Sequence, residues 1–316
     1  MKTTPITFED LASSVIGVPP LPRDRDLGLA KNETRRLVRH LESGGITSLM
    51  FGGNANFYHL PISEYADTVD FLVETAAPNS WVLPAIGPDF GKMRDQANIL
   101  AERKFPAAML LPSAAMFTPD GVAAAIRKFV ERSGLKAVLY LKAENFLTPE
   151  LIRSLVEDSL VASIKYAVVR PDPERDDYLA ELCDTIDRRY LVSGIGERPV
   201  VVHFRKFGLF SFTSGSCSVA PSLCEQLRRK LVAGDFSGAE RLVEYFMPLE
   251  DERDRIHPAR VLHDAVTASG VADCGPQVPM FSNVFGPDLD AVAAAATGLY
   301  THEQAVRKNV QAALAS

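Results

Sequence analysis

Short apolar runs of strand length recur along the first 215 residues of this chain, and the segments between them carry helical spacing. The runs are SVIGV (14–18), TSLMFGG (47–53), WVLPAIG (81–87), AAMLLPS (107–113), KAVLYLK (136–142), ASIKYAV (162–168), RYLVSGIG (189–196) and GLFSFTSG (208–215). Most lie one βα unit apart. The spacing predicts amphipathic helices between them. NETRRLVRHLESGG (32–45) opens on an Asn cap and ends on Gly44 and Gly45. TPDGVAAAIRKFVERSG (118–134) and TPELIRSLVEDSL (148–160) each open Thr-Pro, an N-cap followed by a first-turn proline. Eight strands alternating with helices predict a (β/α)8 TIM barrel rather than an open sheet. Pro84 inside the third run removes a ladder donor and predicts a bulge. After residue 220 the period is helical throughout, so the expected organisation is a barrel core over 1–220 and C-terminal helices over 221–316 packed on it.

Within the sixth run, VASIKYAVVR (161–170), alternation puts Ser163, Lys165 and Ala167 on one face and Ile164, Tyr166 and Val168 on the other. A barrel strand is covered on both faces, so Lys165 lies inside something. Two readings stand: a solvated lysine near a strand end, or a catalytic amine that has lost its proton. On the fifth run Val138, Tyr140 and Lys142 share a face, which places Tyr140 beside Lys165 on the adjacent strand, both pointing inward. A tyrosine hydroxyl beside a desolvated amine is an acid/base pair for carbonyl chemistry. Barrel chemistry gathers at the C-terminal strand ends. Those ends are FGGNAN (51–56), YLKAEN (140–145), SGIG (193–196) and SFTSGS (211–216); Gly194 and Phe210 of the last two runs are further substrate-binding candidates.

Composition narrows the function classes. The chain has 316 residues, 47% hydrophobic and 23% charged, with a net charge of −6 and no long run of one sign, which points away from nucleic acid and anionic membranes. No apolar run reaches the length of a bilayer span, and MKTTPITFEDLASSV has no signal-peptide pattern, so a cytoplasmic location is expected. Cys183, Cys217, Cys224 and Cys274 are spaced too widely for a C-x-x-C or zinc pattern, and none of the six histidines forms H-x-H or H-E-x-x-H; no metal and no cofactor is expected. SGIGERP (193–199) lacks the third glycine of a dinucleotide fingerprint, and neither a P-loop nor G-x-S-x-G occurs.

The lysine in VASIKYA, the tyrosine 25 positions before it, and the segment GGNANFY (52–58) together resemble the dihydrodipicolinate synthase / N-acetylneuraminate lyase family of class I aldolase-type barrels, over nearly the whole chain. The resemblance implies that Lys165 forms a Schiff base with a 2-keto acid, that Tyr140 shuttles protons, and that the loop after the second strand holds the keto-acid carboxylate through the N–H groups of Gly53 and Asn54, with the Asn56 amide contributing. It also implies a homo-oligomer, a tetramer or dimer, with Met116 and Phe117 near the interface. The departures are informative. Gly53 and Asn54 replace two threonines, Ala114 and Ala115 stand in place of a tyrosine pair, and the loop after Tyr140 has no arginine, leaving Lys142 as the nearby cation. These point away from authentic dihydrodipicolinate synthase activity. The spacing of GLFSFTSGSCSVAP (208–221) resembles the 5-dehydro-4-deoxyglucarate dehydratase branch. The expected function is a Schiff-base lyase, aldolase or dehydratase, acting on pyruvate or a sugar-acid derivative. The competing class is a barrel without catalysis that binds a small molecule or serves as a scaffold.

Overall fold

The computed structural model describes residues 1–114 and 116–315, the last six of these as backbone only; Ala115 of the expected tyrosine-pair position lies outside the described residues. Eight strands run β1 (Ile16–Gly17), β2 (Ser48–Phe51), β3 (Trp81–Ile86), β4 (Ala108–Leu110), β5 (Ala137–Leu141), β6 (Val161–Tyr166), β7 (Leu191–Ser193) and β8 (Thr213–Ser214). All pairings are parallel, in the order β7-β6-β5-β4-β3-β2-β1-β8. A parallel bridge from Ser193 to Phe212 joins the two ends, so the sheet closes into a (β/α)8 barrel. Seven of the eight strands lie inside the apolar runs read from the sequence; β6 begins one residue early, at Val161.

The helix signals hold in part. Thr118 accepts from the Gly121 N–H and Thr148 from the Leu151 N–H, each with proline in the first turn. Asn32 is not a cap. The helix is Lys31–Ser43, entered through Ala30, whose N–H is held by the Pro22 carbonyl. Pro84 makes no bulge either. β3 pairs with β2 over Trp81–Pro84 and with β4 from Ala85 onward, so the missing donor falls where the strand changes partner. The register shift is instead at Ala137/Val138, between β5 and β6.

Among the described residues four α-helices follow β8, at Pro221–Val232, Phe236–Arg255, Pro258–Ala268 and Pro287–Ala315. The first completes the eighth βα unit and lies against the helix Lys31–Ser43. Its orphan N–H groups at Ser222 and Leu223 donate to Glu303, a fully buried carboxylate of the last helix that also pairs with Arg307 at 2.5 Å. Glu225 ties the same helix to the barrel floor by accepting from the Val15 N–H at 2.7 Å. The long helix Phe236–Arg255 packs Phe246 and Leu249, both fully buried, inward. One turn later on the same stripe come Glu250 and Arg253, which brings charged side chains of the tail to the barrel mouth. Among the described residues no helix is long and apolar enough to cross a membrane.

Candidate active site

Strand β6 puts consecutive residues to opposite uses. Tyr166 faces outward, and its hydroxyl donates to Asp176 at 2.6 Å; Asp176 in turn caps the helix Asp177–Thr185. Lys165 faces the barrel interior and is only 6% exposed. Its register partner across the ladder is Tyr140 of β5, and its Nζ stands 4.3 Å above the centre of that ring. The amine therefore lies over the ring face, and not in line with the hydroxyl. Loss of water pushes the Lys165 pKa down to about 7, with the charges of Lys142 and Arg253 adding to the effect. Burial also raises the Tyr140 phenol to about 12, although Arg253 opposes the shift.

Above Lys165 opens a cavity of about 210 Å³. Tyr140, Lys142, Gly53, Asn54 and Gly194 all line it, so five of the seven other expected site residues gather with the lysine. The loop after β2 is fixed by its own groups. The Asn54 amide donates to the Val18 carbonyl at 2.8 Å, and the Lys92 ammonium holds the Phe57 and Tyr58 carbonyls at 3.0 and 2.9 Å. The N–H groups of Gly53 and Asn54 donate to no other group among the described residues, which leaves them open as anion donors.

Two expected residues are elsewhere. Asn56 turns the chain at φ 56° into the short helix Phe57–His59; its amide is buried without a partner and does not line the cavity. Asparagine tolerates that left-handed conformation, so the residue serves the turn. Phe210 precedes β8, next to Ser211, whose hydroxyl donates to Leu11 of the N-terminal helix Phe8–Ser13. It belongs to the N-terminal end of the barrel, away from the cavity, because the run GLFSFTSG meets the neighbouring strands only from Ser211 and Phe212 onward and forms β8 at Thr213.

The structure adds residues that the sequence reading passed over. Tyr58 lines the cavity beside Tyr140 and hydrogen-bonds the Pro112 carbonyl. Glu250, Arg253 and Asp254 reach it from the helix Phe236–Arg255, His257 from the residue that opens the next helix, and Phe281 from the loop before the last one. Lys142 is thus not the sole nearby cation. Burial works against the Arg253 charge, but Glu250 and Glu197 outweigh it and hold the guanidinium above its usual pKa. Glu197, fully buried, is pushed upward by desolvation and by Glu250.

Gly194 sets how close the β7 loop comes to the lysine. Its N–H donates to the Tyr166 carbonyl at 2.6 Å, and a Cβ at this position would lie 2.6 Å from that oxygen and 2.7 Å from the Lys165 Cγ. Gly194→Ala must therefore displace the lysine stem. It is expected to slow attack on a keto acid by roughly 10- to 100-fold, the range for misplacing a reacting group by about an ångström. Borohydride-trapping rates on folded protein read this, and an unchanged rate would show that the stem has room to spare.

No protein-family model matches the chain, and no curated protein does. Solved structures do. The crystal structure of dihydrodipicolinate synthase from Bacillus clausii superposes with a TM-score of 0.82 at 20% identity, over 92% of this chain and 99% of that one. The enzyme from Oceanobacillus iheyensis gives 0.82 at 19%, over 93% and 98%. PhdJ, solved bound to a substrate intermediate, gives 0.81 at 16%, over 96% and 99%. Across nearly its whole length, this chain has the fold of the dihydrodipicolinate synthases, a (β/α)8 barrel with C-terminal helices.

Proposed function

We propose that the protein is a Schiff-base-forming lyase that acts on a 2-keto acid such as pyruvate or a sugar-acid derivative. The observation that carries this reading is a buried lysine with its pKa brought to about 7, facing a cavity and stacked on its ladder partner Tyr140. A neutral amine attacks a carbonyl and an ammonium does not. The Lys165 Nζ adds to C2 of the keto acid, and loss of water gives a protonated imine. That cation accepts the electron pair released when a bond at C3 breaks, so proton loss, C–C cleavage and dehydration all become accessible. Tyr140, protonated at neutral pH, donates to the leaving oxygen and takes a proton back. The free N–H groups of Gly53 and Asn54 hold the C1 carboxylate. The fold likeness to dihydrodipicolinate synthases supports the same chemistry.

A screen of 2-keto acids with borohydride and intact mass tests the reading. An adduct is expected with at least one acid, whereas binding without an adduct would mark a barrel that holds a small molecule without catalysis. We also propose self-association. Met116 is fully exposed beside Phe117, which packs edge-on to Phe146 at 5.3 Å between ring centres. Light scattering at micromolar concentration should give at least a dimer; a monomeric mass rejects it.

A further inference from the structure

Arg253 is a charged wall of the cavity that makes and breaks no bond in imine formation. It ends the buried stripe of the helix Phe236–Arg255, with only 7% of its surface exposed. One corner of its guanidinium is taken. Nη1 donates to Glu250 Oε1 at 2.5 Å, and the same oxygen accepts the Ser216 hydroxyl at 2.6 Å. The opposite edge is free. Nε is buried with no acceptor, and Nη2 makes no hydrogen bond among the described residues. A buried donor without an acceptor is costly, and native interiors leave few of them.

The position of this edge is set by the loops after β7 and β8. A Cβ on Gly215 would come within 3.0 Å of Nη2, and one on Gly196 within 3.1 Å of Glu250 Oε2, so both loops are bare where the ion pair enters. Lys165 sits on β6, between the Tyr140 side of the barrel and the β7–β8 side where Arg253 enters. A ligand whose C1 carboxylate rests on the β2 loop and whose carbonyl meets Lys165 can extend toward Arg253. Two donors on one planar edge match the two oxygens of a carboxylate. The cavity, about 210 Å³, is smaller than the roughly 300–1,000 Å³ of sites for drug-sized ligands, so the ligand is short.

We propose that Arg253 is a specificity residue whose Nε–Nη2 edge takes a second carboxylate, so that the substrate is a short dicarboxylic 2-keto acid; this rests on the Schiff-base reading of the same site. Lys142 also lines the cavity as a cation, but it is more exposed than Arg253, sits on a flexible stem and serves as the competing assignment.

Titration calorimetry comparing 2-oxoglutarate with 2-oxopentanoate, which carries a methyl where the distal carboxylate stands, tests the proposal. The dicarboxylate is expected to bind roughly 10- to 100-fold tighter, the range of hydrogen bonds to a charged group. That ratio should fall toward one in Arg253→Met. It should fall likewise when Arg253→Met is combined with Glu250→Met, which also removes the carboxylate that the guanidinium pairs with. It should persist in Lys142→Met. A wild-type ratio near one, a ratio that survives both Arg253 variants, collapse in Lys142→Met instead, or no binding of either acid overturns the proposal. Borohydride added to the same samples separates the two ideas. An Arg253-dependent ratio without a reduced adduct keeps the carboxylate site and removes the Schiff base; an adduct with equal affinities does the reverse.

Discussion

Lys165→Ala is expected to fold and to form no borohydride-stable adduct with any 2-keto acid, a complete loss against wild-type protein. The reason lies in where the amine sits. Lys165 is buried on β6, and its amine lies on the face of the Tyr140 ring, a surface that stays in place without it. Its loss also takes an ammonium out of a site where burial, Lys142 and Arg253 all disfavour charge. The other cavity amine, Lys142, is lowered only by partial loss of water and stands past the end of β5. Lys165→Arg is the sharper variant. It keeps the charge and much of the volume, yet a guanidinium stays protonated and cannot add to a carbonyl. Adduct formation at the wild-type rate in either variant would remove Lys165 from the chemistry.

Tyr140→Phe separates binding from proton transfer. The ring that Lys165 stacks on stays, so the imine is expected to form and be trapped. The hydroxyl that moves protons goes. Exchange of the pyruvate C3 protons with solvent deuterium, which requires the imine to pass to an enamine and back, should slow by roughly 10²–10⁴-fold, the usual contribution of a positioned acid/base. NMR reads this exchange without knowledge of the natural substrate. Because burial holds the phenol near 12, the hydroxyl enters the cycle protonated, as the acid. Equal exchange in the two proteins would leave Tyr140 as a stacking platform only, with Tyr58 beside it as the next candidate.

The barrel was legible because each strand is a short β-rich run between helical segments, a pattern that needs no knowledge of contacts. What that pattern misplaced has local physical causes. Phe210 belongs to an apolar run longer than the two-residue strand it contains, and the excess falls on the N-terminal side. Asn56 carries a side chain suited to binding, but its backbone is claimed by a left-handed turn. Lys165 and Tyr140 were legible as a pair because alternation on two adjacent parallel strands fixes their facing. Arg253 was not, since EDERD (250–254) reads as a solvated charged stretch. The available signal was spacing: Glu250 and Arg253 continue, at intervals of one and three, the stripe begun by Phe246 and Leu249.

The central claim is that a neutral Lys165 is the nucleophile. It is tested most directly by trapping wild-type protein with pyruvate and borohydride across pH and mapping the modified peptide. A lysine whose pKa is lowered to about 7 is mostly amine above that pH and mostly ammonium below it. The trapping rate should therefore level off above about pH 8 and fall about tenfold per unit below pH 6, with the adduct on Lys165. An adduct on Lys142, a rate still climbing toward pH 10 as for an ordinary lysine, or no mass increase with any 2-keto acid would contradict the account.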